Sequence, residues 1–306
     1  MLDRQGAERV HLVTTRSLSY TSDAGPPPGL PDQSEILGRA AGENFSVASV
    51  FLPRSCRRDL MAFYGYARLV DQLGDDYPGD RLAALDWLES ETRAALDGAE
   101  GCHVLVADAA RSLRRLRSDP TPLFDLIEAN RLDQRVRDYS DFAQLLDYCR
   151  LSANPVGRLV LAAFGYSDRQ RIELSDAICT GLQLVEHWQD VREDARAGRV
   201  YLPGDDLDRF GVHRSELTGA GPSSPALRSL MAFEVSRARQ WLDRGKPLTS
   251  MLAGRFRLAV SGFWAGGHAA LDAIADRDFD VLTDPARPRP DRVARRALSA
   301  VLGRSG

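Results

Sequence analysis

Five histidines and four cysteines are all that the 306-residue chain offers in soft ligands, and neither set is spaced as a site. His11, His103, His187, His213 and His268 include no HxxxH pair, so neither zinc nor iron is expected. Cys56, Cys102, Cys149 and Cys179 stand far apart without a CxxC, which excludes a disulfide framework and fits separate buried thiols in a reducing cytoplasm. No GxGxxG, Walker-type loop or GxSxG elbow is present, which removes the common nucleotide and acyl-transfer sites. Charge is nearly balanced at −3, so no field recommends nucleic acid as a partner. No apolar run reaches membrane-spanning length: the stretch 258–275 is interrupted by Gly262, Gly266 and Gly267. The first residues lack a sustained apolar run, so no signal peptide is expected.

What remains is rich in Leu, Ala and Arg, which favour helices, and has no alternating β-branched runs. The pattern predicts an all-α chain with helices near 34–44, 53–74, 79–98, 102–118, 121–136, 139–165, 168–198, 223–244 and 249–283. Residues 1–33, rich in Ser, Thr and Gly and carrying Pro26-Pro27-Pro28, read as a disordered tail. Residues 34–283 read as the helical domain and 284–306 as a basic tail. Pro53 suits a helix start, Gly198 a helix end, and Pro155 with Gly157 a kink in an otherwise helical stretch. In the C-terminal tail Arg287, Arg289, Arg292, Arg295, Arg296 and Arg304 oppose an apolar stripe of Val293, Ala297, Leu298 and Val301. Such a helix suits an anionic membrane surface, although a solvated tail is the commoner outcome for such a composition.

Two acidic patterns carry the chemistry. Residues four apart share a helix face, so Asp71 and Asp75 form one carboxylate pair, and Glu186, Asp190 and Asp194 form a row of three. Like charges at that spacing repel, and each row needs a cation to offset it. The residues around them are apolar or aromatic (Phe63, Tyr66, Leu69 and Val70; Leu184, Val185, Trp188 and Val191), so the rows point to an interior cavity rather than to solvent. Opposed rows suit hydrated magnesium, which binds through a few carboxylates and substrate phosphates. Arg68 and Arg199 could fork onto phosphate oxygens, or Arg68 could simply pair with Asp71. Tyr201 could bond a leaving group or be an ordinary half-buried core residue. His187, one step from Glu186, is expected to point away from the row.

Over residues 34–283 the sequence resembles the squalene and phytoene synthase family of head-to-head prenyl diphosphate synthases. The first block is Glu43-Asn44-Phe45-Ser46 through Leu52-Pro53, then Tyr64, Arg68 and Asp71 in the order Tyr-x-x-x-Arg-x-x-Asp. The second is Gly181-Leu182-Gln183-Leu184 leading to Gln189-Asp190-Val191-Arg192-Glu193-Asp194 and Gly198-Arg199-Val200-Tyr201-Leu202-Pro203. Glu43-Asn44-Phe45 with Ala48-Ser49, and Tyr148-Cys149-Arg150-Leu151-Ser152-Ala153-Asn154-Pro155-Val156-Gly157, look like the bacterial hopanoid branch that makes hydroxysqualene from presqualene diphosphate.

The resemblance implies a single-domain isoprenoid-synthase-type helical bundle around a central apolar cavity. It implies magnesium held by Asp71, Asp75, Glu186, Asp190 and Asp194, and a substrate site of Phe45, Ser46, Tyr64, Arg68, Arg150, Asn154, Gln183, Arg199 and Tyr201. Phe45, Tyr64, Phe233 and Trp264 would line the cavity, and Asn154 would orient the water that gives the alcohol. Three departures stand out: Gln72 replaces an Asp, Glu186 stands where the family often has Asn, and Ala41-Gly42-Glu43 replaces His-Ser-Lys. Alternatives within the resemblance are synthesis of presqualene diphosphate, squalene or phytoene. An alternative outside enzymology is a helical assembly factor, which ought to have lost its carboxylates.

Overall fold

The computed structural model describes residues 25–30, 33–38, 52–283, 293 and 296–297. Among them are thirteen α-helices: α1 Gln33–Gly38, α2 Arg54–Asp71, α3 Arg81–Asp97, α4 Val104–Leu116, α5 Thr121–Asp133, α6 Phe142–Ser152, α7 Asn154–Ala163, α8 Arg169–Gln189, α9 Val191–Arg196, α10 Gly204–Phe210, α11 Pro225–Gly245, α12 Leu248–Met251 and α13 Gly254–Ala275. No strand occurs among the described residues; one isolated bridge joins Asp138 to Val200.

Helix starts follow capping chemistry. Asp80, Asp141, Asp168 and Ser224 each accept a hydrogen bond from the backbone N–H three residues on, opening α3, α6, α8 and α11. Pro53 directly precedes α2, and Pro225 opens α11, where the missing N–H costs nothing.

Five departures from the expected pattern matter. The α2 helix does not run evenly to residue 74: Gln72–Asp76 form a π-helical turn. The stretch 139–165 breaks at Ala153, where Pro155 cannot donate into a continuous ladder. The stretch 168–198 breaks at Asp190, with φ −106° and ψ 15°. Beyond Gly198, which turns at φ +81°, the structure adds α10 and a 3-10 turn at Arg214–Thr218, both too short to show a period in sequence. The last long helix ends at Ala275 rather than 283, and the chain turns away with positive φ at Asp278 and Phe279.

Two apolar cores hold the bundle. One gathers Tyr66, Leu69, Leu85, Leu105 and Ile127 from α2 to α5; the other gathers Leu145, Trp188, Leu230, Leu242 and Leu271 from α6, α8, α11 and α13. Leu182 packs against both. Val293 and Ala297, two residues of the C-terminal apolar stripe, pack on the second core, and Arg296 pairs with Asp272. Those two side chains are therefore used by the protein's own interior.

The second core also contains a titratable group with a stability consequence. Glu234 is 0% exposed, and Arg237 lies 3.2 Å from it and 2.8 Å from the equally enclosed Asp206. Burial outweighs the opposing pull of Arg237 and, with the smaller push of the neighbouring Asp206, raises the Glu234 carboxyl to about 8. Between its ordinary value near 4.5 and about 8, the folded chain holds a proton that the unfolded chain releases. Stability from this group is full below that window and is lost as pH rises through it. Glu234→Gln is expected to flatten the fall of melting temperature between pH 5 and pH 8, about neutral at the acid end and stabilising at the alkaline end. Parallel slopes for the two proteins in a thermal scan across this range would count against the assignment.

Candidate active site

The two cores meet at a cavity of about 360 Å³. α2 and its π turn contribute Ala67, Asp71 and Asp75; α8 and α9 contribute Gln183, Glu186, His187 and Asp194, with Asp190 at their junction. α5 closes the floor with Leu126, Ala129, Asn130 and Asp133, and Arg199 and Tyr201 come from the loop after α9. All five carboxylates read as a pair and a row therefore line one cavity.

Local structure explains the aim of each. Gly74, inside the π turn, lies so close to α5 that a Cβ there would sit 1.9 Å from Asn130 Oδ1. That contact seats Asn130, whose side chain bonds Asp71, while Gln134 Nε2 donates to Gly74 O at 2.9 Å. A π turn inside a helix is a frequent mark of a functional site. Opposite, the break at Asp190 keeps its carbonyl as acceptor for Asp194 N–H at 2.8 Å, so the row continues through the junction. Val200 N–H donates to Arg137 O at 2.8 Å and Gly204 N–H to Tyr139 O at 2.9 Å, which tie the Arg199–Tyr201 loop to the segment before α6.

The electrostatics are those of an anion-crowded cavity. Asp71 is pushed up to about 6 by burial, against the pull of Arg68 and the Asn130 hydrogen bond; Asp75 and the more distant Glu186 push the same way as burial. Asp194 is pushed up to about 7 by burial and then by Asp190; Glu186 and Asp190 are raised by burial and then by a neighbouring acid. Two arginines offset part of this. Arg199 Nη2 donates to Asp75 Oδ1 at 3.0 Å, across 124 residues of sequence, and Arg68 stands 3.6 Å from Asp71. The Asp71 carboxyl thus senses a carboxylate of the opposing row.

An aromatic group closes one side. Tyr201 stacks on His187 with ring centroids 3.7 Å apart and 13° between planes, and Tyr139 and Tyr148 pack around it. Tyr148 Oη donates to Asp133 at 2.8 Å. His187 corrects the sequence reading: it faces the cavity, because the step that separates it from Glu186 turns its ring onto Tyr201. Burial alone lowers it to about 3, so the ring is neutral.

Other expected residues lie elsewhere. Phe45 and Ser46 fall outside the described residues. Tyr64 is buried on α2 but does not line this cavity. Arg150 is exposed on α6, on the side of Asp125. Asn154 is buried between α7 and α8, accepting from Thr180 Oγ1 at 3.0 Å. Phe233 packs against Phe210 between Arg209 and Arg237, and Trp264 donates to Leu242 O at 3.1 Å; neither lines the cavity. The reading missed Asn130, Asp133, Tyr148 and Ser152. Its available signal was Asn130 and Asp133 at i and i+3, two polar residues on one face of a helix whose other buried residues are apolar.

Among the described residues no three His, Cys, Asp or Glu side chains converge tightly enough to enclose an ion by themselves. Hard carboxylate oxygens set on two facing walls nonetheless fit magnesium, which takes one or two carboxylates and fills its other positions with water and phosphate.

Comparison with known proteins adds a family. The squalene/phytoene synthase profile matches residues 39–296. The hydroxysqualene synthase of Rhodopseudomonas palustris is 34% identical over 270 residues, covering 86% of this chain and 87% of its own. The phytoene synthase of Mycobacterium tuberculosis is 32% identical over 277 residues, covering 87% and 90%. Among solved structures, the squalene synthase HpnC of Alicyclobacillus acidocaldarius superposes with a TM-score of 0.76 at 40% identity, covering 81% of this chain and 92% of that one. A dehydrosqualene synthase superposes with a TM-score of 0.77 at 19% identity, covering 88% and 94%, and so shares the fold.

Proposed function

Because the chain belongs to the squalene/phytoene synthase family of enzymes, we propose that it converts presqualene diphosphate to hydroxysqualene with release of diphosphate, in a magnesium-dependent reaction of hopanoid or squalene biosynthesis. The observation that carries this reading is the pair of acidic rows facing one cavity, with an arginine bound to the first row. Residues 34–283 are read as the catalytic domain.

Asp71 and Asp75 on one wall, and Glu186, Asp190 and Asp194 on the other, would hold the magnesium ions. Magnesium would supply positive charge to the departing diphosphate. Arg199 and Arg68 already lie beside the first row and can turn their guanidinium forks to phosphate oxygens. The carbon–oxygen bond of the substrate breaks, and both electrons leave with diphosphate. The Tyr201 and Tyr148 rings, which line the cavity with Tyr139 packed against them, would lend π density to the carbocation and exclude bulk water. The cyclopropylcarbinyl cation rearranges with cleavage of a ring carbon–carbon bond, and one admitted water then forms the new carbon–oxygen bond and gives its proton to the released diphosphate. The neutral His187 adds no positive charge against the cation.

Two relatives named hydroxysqualene synthase, together with the Tyr148–Gly157 block, favour the alcohol over the C40 hydrocarbon made by a phytoene synthase. Incubation with magnesium and presqualene diphosphate is expected to yield a C30 alcohol. Phytoene formed from geranylgeranyl diphosphate, with presqualene diphosphate left intact, would replace this reading by the phytoene synthase one.

A further inference from the structure

α2 and α4 pack so that the start of one lies beside the end of the other: the buried Asp59 accepts from Ser112 Oγ at 3.0 Å and also pairs with Arg115. This places the Arg54-Ser55-Cys56-Arg57-Arg58 turn next to the arginines of the last turns of α4. A second cavity, of about 400 Å³, opens there, rimmed by Arg58, Arg111 and Arg115 over an apolar floor of Met61, Ala62 and Leu105. The charges do not cancel. Asp108 pairs with Arg111 and Asp59 with Arg115, but Arg58 forms no ion pair with a described residue, and Arg54 and Arg117 add charge at the edge. The first turn of α2 has no acidic residue and no side-chain cap among the described residues, so the N–H groups of that turn add to the positive potential. Arginines at a helix start oppose the helix dipole. In a chain of net charge −3, such a concentration is a local feature rather than a reflection of composition.

We propose that this α2–α4 face docks on an anionic phospholipid bilayer, with headgroup phosphates on the arginine rim and the apolar floor against the upper acyl region. Basic rim and apolar floor together match an amphipathic anion, where a polyanion such as RNA would need only the charge. The C-terminal basic segment is a weaker candidate, since Val293 and Ala297 already pack on the second core. The surface itself does not depend on the reaction proposed above; only its purpose, release of an oily product, rests on that reading.

Flotation of the full-length protein with phosphatidylcholine vesicles, and with vesicles also containing phosphatidylglycerol, tests this. The wild type is expected to float only with the anionic vesicles, and less as salt rises. The triple variant Arg54→Gln, Arg58→Gln, Arg111→Gln retains Arg115 and so leaves Asp59 paired. At about a fivefold loss per arginine removed, its partitioning is expected to fall about a hundredfold. The single reversal Arg58→Glu changes the charge by two units and is the second variant, expected to weaken flotation about twenty-fivefold. Turnover in detergent is expected to be unchanged in both variants, which separates this test from the proposed reaction. Equal flotation of wild type and variants overturns the proposal. So does failure of the wild type to float, displacement by inorganic diphosphate at constant ionic strength, or binding to heparin without binding to vesicles.

Discussion

Asp71→Asn and Asp190→Asn are each expected to reduce turnover at least about a thousandfold, a loss on the order of 4 kcal/mol in transition-state stabilisation, while leaving the fold intact and raising its melting temperature in the absence of magnesium. Both effects follow from one arrangement. Six carboxylates, Asp133 included, share the cavity, and those with raised values owe them to burial and to neighbouring acids. Arg199 and Arg68 offset only part of that charge. Without metal, each ionised carboxylate therefore destabilises the fold, and asparagine keeps the shape while removing charge. In the proposed reaction the same oxygens would be the donors to magnesium, and an amide oxygen without formal charge binds magnesium far more weakly. Residues that weaken the resting fold in order to bind a ligand are an expected signature of a functional site. Steady-state assays with magnesium, paired with thermal scans in chelator, measure the two halves separately. Near-normal turnover in both variants would remove the carboxylates from the mechanism; loss of turnover accompanied by a lower melting temperature would make them structural.

Sequence periodicity reached as far as local helical geometry reaches. The row of Glu186, Asp190 and Asp194 was legible because its spacing survives the break at Asp190 through the Asp194 N–H bond. The pair of Asp71 and Asp75 was legible for the same reason, although a π turn rather than an α-helix carries its second member. What could not be read were contacts closed by tertiary packing. The hydrogen bond from Arg199 to Asp75 spans 124 residues, and nothing in either motif announces it. Asn130 and Asp133 sit on a helix that carries no motif, and their place in the cavity depends on how α5 lies against the π turn. His187 was misread because helical offset gives a direction relative to Glu186 alone, whereas its real orientation is set by the stack with Tyr201. Phe233 and Trp264 show the converse: aromatic type suggests a cavity lining, but the cation contacts of Phe233 and the Leu242 hydrogen bond of Trp264 hold them in other parts of the bundle.

The largest effect expected from a residue with no functional group of its own is at Gly74. A methyl group there would sit 1.9 Å from Asn130 Oδ1 and 2.7 Å from Asn130 Cγ. No rotamer of alanine avoids a Cβ contact, so either Asn130 leaves or the π turn moves. Asn130 Nδ2 also donates to Leu126 O at 3.2 Å, and Gln134 bridges the Asn130 and Gly74 carbonyls, so both partners are held by further bonds. Overpacking of this kind costs about 1–3 kcal/mol of stability. The cost to activity is larger, because the displaced amide bonds Asp71 and the displaced turn carries Asp75. A misplacement near 1 Å in a catalytic constellation typically costs about a hundredfold in rate, and that is the loss expected of Gly74→Ala. The double variant Gly74→Ala, Asn130→Ala separates the two costs. Removing the asparagine side chain makes room for the new methyl, so stability is expected to return close to that of Asn130→Ala alone. Turnover is expected to recover only to the level of Asn130→Ala, since Asp71 then lacks its hydrogen bond in both proteins. If Gly74→Ala matches the wild type in kcat/KM and melting temperature, the close approach of the π turn to α5 does not position the first acidic pair.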